Sequence, residues 1–272
     1  MDVIIVSIVL YNPDLNQLVQ LIKPFINNKS LLFIFTDHSS QRLDNFDMFD
    51  NINYRYTHDS SNPGFGSGHN NAFKSVDINF NFFLVCNPDI QFDYQSLQKM
   101  VTFIESRNQI GLLMPMVVYP NGENQKLSKL LPSPFSLIVR RIPILHKIQN
   151  KYTLNHYKYN FPLDVPFLSG CFLFFKSDVF RKIGGFDENY FMYFEDIDIC
   201  RNVRKCGFRT MVFPEVKVVH NHTYKSIFDY NTFINLLNSA IIYFNKWGWF
   251  IDNQRVIDNN YTLSLISKNN DV

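Results

Sequence analysis

The chain has 272 residues, enough for one large α/β domain or two small ones around a substantial core. Hydrophobic residues make up 46% and aromatics 16%, which excludes a disordered polypeptide. A formal charge of only +2, from 26 basic and 24 acidic residues, gives no reason to expect a nucleic-acid partner.

Val3 to Val9 is a near-continuous β-branched run, the pattern of a strand buried on both faces. Asn12-Pro13 then opens a helix that carries Leu15, Leu18, Val19 and Ile22 on one face. Leu31 to Phe35 is a second strand, and Asn53 to His58 a weaker third. The stretch from Asn62 to Gly68 reads as a loop feeding a short helix around Asn70 to Ser75. Phe80 to Cys86 is a strongly apolar fourth strand that stops at Asn87-Pro88-Asp89. A helix with Leu97, Met100, Val101 and Ile104 on one side follows, and Ile110 to Met114 reads as a fifth strand. Strands alternating with helices predict a mostly parallel sheet with crossover helices.

Residues 124–166 break this rhythm, with Leu131-Pro132-Ser133-Pro134 as punctuation and a basic stretch containing Arg140, Arg141 and Lys147. They read as a connector or flap. The regular pattern returns with a strand at Phe172 to Phe175 and a short helix that Ser177 is placed to cap and Gly184-Gly185 to stop. A second helix is expected from Glu195-Asp196 to Gly207, then an extended segment to Val219. An amphipathic helix spans about Tyr230 to Trp247, and 251–272 reads as a tail.

The four cysteines lack metal-binding spacing and suit a reduced, cytosolic compartment. Met1-Asp2-Val3 lacks the basic start of a secretory signal. No apolar run approaches the ~18 residues that span a bilayer. The basic segment from Leu137 to Lys147 is a candidate for resting on an anionic membrane surface, with an ordinary lid as the alternative.

In an open α/β sheet, ligands gather beyond the carboxyl ends of the strands, and four polar signals fall there. Asp37, in Thr36-Asp37-His38-Ser39-Ser40, either meets a base or ribose or satisfies its own turn. Gly64, Gly66 and Gly68 either form a flexible loop or let backbone approach a ligand. Asp89, at a rigid strand tip, is either a turn cap or an oxygen ligand for Mg²⁺ or Mn²⁺ shared with phosphates. Glu195, Asp196 and Asp198 suit a helix N-terminus electrostatically, and one of them could act as a general base. His220 is either structural or a nitrogen that completes a metal site.

With these residues the chain resembles the inverting glycosyltransferases of family 2, with a GT-A fold, and most of all their bacterial rhamnosyltransferase-like branch. The likeness covers roughly residues 3–250. It runs through Tyr11-Asn12, through Asp37-His38-Ser39-Ser40 with His where the family has Asn, and through Asn62-Pro63-Gly64-Phe65-Gly66-Ser67-Gly68-His69-Asn70. The family's Asp-x-Asp is met by Asn87-Pro88-Asp89. The most specific match is Gly184-Gly185-Phe186-Asp187-Glu188 continuing through Tyr190, Phe191, Tyr193, Glu195-Asp196 and Asp198 to Cys200.

The resemblance implies a single catalytic domain over 1–250: a nucleotide-sugar half (1–118), the flap (124–166) and an acceptor half (167–250). It implies transfer from a nucleotide-diphosphate sugar, such as dTDP-rhamnose or a UDP-hexose, to a hydroxyl of a surface-polysaccharide precursor, O-antigen or capsule. Asp196 would be the base, and Asp89 with His220 (His222 as rival) would hold divalent Mg or Mn. Tyr11, Asp37, Asn62, Gly66, Asn70 and Asn87 would bind donor, and Gly170, Asp187 and Glu195 would lie on the acceptor side. The partners implied are that donor and a glycan or lipid-linked glycan, at a cytoplasmic location or the inner face of the cell membrane. A catalytically degenerate glycan-binding relative is the non-enzyme alternative. An adenosylmethionine-dependent methyltransferase is another, although its glycine loop should follow the first strand.

Overall fold

Ile4–Leu10 forms β1, and all but one of its seven residues are buried because strands flank it on both sides and helices cover it. The computed structural model describes residues 3–44, 49, 51–139, 152–154, 157, 160–221 and 230–270. β2 (Leu31–Asp37) and β4 (Phe82–Cys86) pair with β1 in parallel, and β3 (Tyr54–His58) adds a parallel edge to β2. That edge position explains why β3 alternates polar and apolar residues while β1 does not.

Beyond β4 the sheet changes direction. β10 (Phe172–Lys176) runs antiparallel between β4 and β6 (Ile110–Val118), and β11 (Arg209–His220) returns parallel to β6. Two short antiparallel pieces complete the nine-stranded sheet: β5 (Ile90–Gln91) at the end of β11, and β8 (Leu163–Asp164) near its start. β7 (Ser128–Lys129) and β9 (Phe167–Leu168) form a separate antiparallel pair. The fifth expected strand runs on past Pro115 to Val118. There the register of β11 shifts between Phe213 and Lys217, so the proline faces an irregular stretch.

The helices are α1 (Leu15–Ile22), α2 (Phe65–Lys74), α3 (Tyr94–Glu105), α4 (Pro134–Val139), α5 (Ser177–Ile183), α6 (Glu195–Lys205), α7 (Tyr230–Trp247) and α8 (Asn253–Asn270). Asp14 caps α1 by accepting from the Asn16 N–H at 2.9 Å, and Asp93 caps α3 by accepting from Ser96 at 2.7 Å. Gly184 ends α5 in the left-handed conformation expected of it. Ser177 does not cap that helix. Lys176 holds the cap position, and the Ser177 hydroxyl donates to the Phe80 carbonyl at 2.5 Å.

Two further expectations are corrected. Residues 65–68 are helical, because α2 begins at Phe65 rather than around Asn70. The segment read as a tail contains α8, whose Leu263, Leu265 and Ile266 pack on the main core and whose Thr262 is fully buried. Within the connector, β7, α4 and β8 are ordered elements; Arg140, Arg141 and Lys147 lie outside the described residues. No helix among the described residues is long and apolar enough to cross a membrane.

α6 is seated by buried charge. Arg201 donates two hydrogen bonds to Asp252, at 2.7 and 2.8 Å, a third to the Tyr243 hydroxyl at 3.0 Å, and lies 4.1 Å from the Trp247 ring. One turn on, Arg204 reaches Asp164 and, at 3.1 Å, Asp258. Asp198 is fully buried and accepts from Trp247, Lys246 and Asn202 at 2.7–2.9 Å. A buried charge is costly unless paired, so these contacts tie α6 to α7 and α8.

Removing one partner strands the other. Arg201→Met is expected to lower unfolding free energy by about 3–5 kcal/mol in urea titrations. Burial pushes the Asp252 carboxyl up, but the Arg201 hydrogen bonds and charge outweigh it and hold the group below the ordinary carboxylate range. The stabilisation from this pair is thus complete above the unfolded value of about 3.9. It is lost as pH falls through the lower folded value.

Candidate functional site

The carboxyl ends of β1, β2, β4 and β11 lie along one edge of the sheet, and the polar signals gather there. At β4, Asn87-Pro88-Asp89 leads straight into β5, which pairs His220 with Ile90. That two-residue pairing brings Asp89 Oδ1 within 3.2 Å of His220 Nε2. The Asn221 N–H donates to the Asp89 carbonyl at 2.9 Å, fixing both groups to one strand pair.

The other half comes from α6. Asp196 sits in its first turn, where one carboxylate oxygen accepts the Gly170 N–H at 3.1 Å and the other accepts the Ile197 N–H at 2.9 Å. Gly170 and Cys171 form the turn from β9 into β10, and the Cys171 carbonyl accepts the Asn87 N–H at 2.9 Å. The Cys171 thiol, raised to about 12 chiefly by burial, also feels the charges of both Asp89 and Asp196. Two acidic residues more than a hundred positions apart therefore flank one turn.

Burial raises the Asp196 carboxyl above its ordinary range, against the Gly170 and Ile197 hydrogen bonds that favour the anion. The Glu195 carboxyl is likewise raised, by burial and by its neighbour's charge, and its Oε2 has no hydrogen-bond partner among the described residues. Just before them, Tyr193 and Phe194 adopt left-handed backbone at φ 71 and 66. Non-glycine residues there cost about 1–2 kcal/mol each, and packing of Phe194 against Tyr243 and Phe244 of α7 sustains the strain.

Asp89 and His220 supply an oxygen and a nitrogen donor. Adjacent ligands on an octahedral Mg²⁺ or Mn²⁺ site at 2.0–2.1 Å stand about 3 Å apart, so the pair fits such an ion. No group of three or more His, Cys, Asp or Glu side chains suited to a metal occurs among the described residues. Further ligands would have to come from phosphate and water, the usual arrangement for Mg²⁺. His222 lies outside the described residues.

The donor-side expectations divide. Tyr11 is exposed, and Asn62 and Asn87 are half-buried, so these three can reach a ligand. Asp37 is fully buried: it accepts from Ser39 N–H at 2.9 Å, Ser39 Oγ at 2.5 Å and the Tyr56 hydroxyl at 2.5 Å. Ser39 Oγ in turn accepts the Asn12 N–H at 2.8 Å, so Asp37 builds the turns around Tyr11 rather than offering an oxygen outward. Burial and this bond push the Tyr56 phenol up to about 12.

Asn70 and Gly66 both face protein. The Asn70 amide is spent on the Phe186 N–H (2.9 Å), the Phe186 carbonyl (2.9 Å) and Glu188 (2.8 Å). A Cβ on Gly66 would stand 2.8 Å from Phe186, and one on Gly68 would stand 2.6 Å from Val9 and 2.9 Å from His38. These glycines let α2 press against protein. On the acceptor side, Gly170 and Glu195 flank Asp196, but Asp187 does not join them. It pairs with Lys246 at 2.7 Å in a cleft of about 460 Å³ that also includes Gly185, Asn202 and Lys205. A second cleft, about 420 Å³, lies between Phe191 and Asn235–Ile242. Neither contains Asp89, Asp196 or His220; the candidate site is defined by its converging side chains.

Two groups escaped sequence reasoning, Tyr56 behind Asp37 and Gln125 behind His220, because each acts across elements and carries no motif.

A family model described as the N-terminal domain of galactosyltransferase matches residues 150–227. N-acetylglucosaminyl-diphospho-decaprenol L-rhamnosyltransferase of Mycobacterium tuberculosis (strain ATCC 25618 / H37Rv) is 27% identical over 146 residues, 53% of this chain and 48% of that protein. Rhamnosyltransferase WbbL of Escherichia coli (strain K12) is 26% identical over 182 residues, 60% of this chain and 64% of that one. The match thus spans about half the length of the mycobacterial relative.

Among solved structures, GalNAc-T7 with UDP, GalNAc and Mn²⁺ superposes with a TM-score of 0.61 at 12% identity, over 80% of this chain and 43% of that one. Staphylococcus aureus TarS 1-349 gives 0.55 at 14% identity, over 80% and 60%. These findings bear out the resemblance to GT-A glycosyltransferases and their rhamnosyltransferase-like branch, and the fold is GT-A.

If Asn70 is a brace, Asn70→Ala leaves the Phe186 backbone groups unpaired. Stability should then drop by about 1–3 kcal/mol in urea unfolding. Unchanged stability with weakened nucleotide-sugar binding would return Asn70 to the ligand.

Proposed function

We propose that this chain transfers a sugar, with inversion, from a nucleotide-diphosphate donor to a hydroxyl of a bacterial surface-glycan precursor. The observation that carries the reading is the meeting of Asp89–His220 and Asp196 around the Gly170–Cys171 turn. The names of the relatives favour a rhamnosyl donor and a lipid-linked diphospho-sugar acceptor, and deoxythymidine diphosphate is the carrier that the family resemblance implies. Such an acceptor would bring the protein to the cytoplasmic face of the membrane.

Asp196 takes the proton of the acceptor hydroxyl as that oxygen attacks the anomeric carbon, and the bond from that carbon to the diphosphate oxygen breaks. The Gly170 and Ile197 N–H groups hold the carboxylate in one orientation. Tyr11, Asn62 and Asn87 line the donor side at the strand ends. Asp89 and His220 would hold a divalent cation, which when bound offsets charge gathering on the departing nucleoside diphosphate. Orientation of both substrates supplies much of the gain, up to ~7–11 kcal/mol in favourable systems.

Asp196→Asn is expected to cut transfer by about 10²–10⁴-fold, with donor affinity within a few-fold of the parent in calorimetry. Substantial turnover in that variant would remove Asp196 from the role. A raised carboxyl is ionised only above its raised pKa, so activity is lost as pH falls through that value. The acidic limb of kcat/KM should accordingly lie above the ordinary aspartate value of about 3.9. Asp89→Ala should weaken nucleotide-diphosphate binding when Mn²⁺ is present and leave metal-free binding unchanged. Equal losses with and without Mn²⁺ would detach Asp89 from a cation.

A further inference from the structure

His220 is gripped from behind by one side chain. Gln125, in the segment between β6 and β7, is anchored by its own N–H to the Val117 carbonyl at 3.0 Å. Its amide nitrogen donates to the His220 carbonyl at 2.9 Å and lies 3.4 Å from that of Val118. Both groups can only accept, so the nitrogen of the Gln125 amide must point at them. The amide oxygen is thereby left facing His220 Nδ1, at 2.8 Å.

That oxygen can only accept, so Nδ1 must carry a hydrogen. In a neutral imidazole the other nitrogen, Nε2, is then the lone-pair donor, and it is the atom that stands 3.2 Å from Asp89 Oδ1. We infer that Gln125 is a positioning residue: it fixes the His220 Nδ1–H tautomer and aims the Nε2 lone pair at a divalent cation shared with Asp89. The cation rests on the proposed function; the tautomer rests on the hydrogen-bond geometry alone. Ligating histidines need their second nitrogen held in this way, and loss of such support weakens metal binding about 10–100-fold.

The test uses the metal-free protein first. Long-range ¹H–¹⁵N correlation spectra of ¹⁵N-histidine-labelled parent should show His220 protonated at Nδ1; a dominant Nε2–H form would overturn the inference. Mn²⁺ alone is then titrated calorimetrically. Gln125→Leu should bind it about 10–100-fold more weakly, with a mixed or switched tautomer. Gln125→Glu keeps an acceptor oxygen at Nδ1–H although it sets its second oxygen against the His220 carbonyl, so it should retain the tautomer and lose less Mn²⁺ affinity than Gln125→Leu. Undiminished binding in Gln125→Leu, or equal losses in both variants, would overturn the positioning role. An Nδ1–H parent that binds no Mn²⁺ would end the cation reading and leave the tautomer assignment standing.

Discussion

The turn at Gly170–Cys171 is the constraint from which the rest of the site follows. Two of its backbone groups serve different halves of the site: the Gly170 N–H restrains the Asp196 carboxylate, and the Cys171 carbonyl receives the N–H of Asn87. The turn can do this because β10 runs against its neighbours. An antiparallel strand inserted between parallel ones begins where they end. Its entry therefore falls among the ligand-facing tips of β4 and β6 rather than at the far side of the sheet.

Holding Asp196 there has an electrostatic cost that the surrounding structure offsets. Its carboxyl and that of Glu195 are both raised by burial, so an ionised base at this point disfavours the folded state. Directly behind, Arg201, Arg204 and Asp198 lock the same helix to α7 and α8 through paired charges. The left-handed Tyr193 and Phe194 are sustained by that grip: Phe194 packs on Tyr243 and Phe244, and Ser239 holds the Met192 carbonyl at 2.8 Å. The C-terminal helices, remote in sequence from the acidic pair, thus set the geometry of its helix start.

Much of this was legible from the chain. Unbroken apolar runs marked β1 and β4, and Gly184 marked the end of α5, since each records a local cause. Strand direction leaves no such mark, so the reversal at β10 had to come from tertiary packing. The glycines at 66 and 68 misled for a related reason. A residue without a side chain signals a close approach but not what approaches, and here Phe186 and Val9 do. α8 was invisible because its polar sequence carries little amphipathic signal, and its burial depends on Asn259 and Thr262 bonding to residues 131 and 164. In the site, the acidic residues were readable as types at strand and helix ends. Tyr56 behind Asp37 and Gln125 behind His220 were not, because a hydrogen bond between distant positions has no period. Asp37 shows the converse: a polar signal at a strand end whose oxygens turn inward.

The central claim is spatial, and a crystal structure grown with Mn²⁺ and a nucleoside-diphosphate sugar tests it most directly. Anomalous scattering at the manganese edge should give a peak between the Asp89 and His220 side chains, with the sugar lying between that peak and Asp196. A peak elsewhere, or a sugar seated in the Asp187–Lys246 cleft, would contradict it.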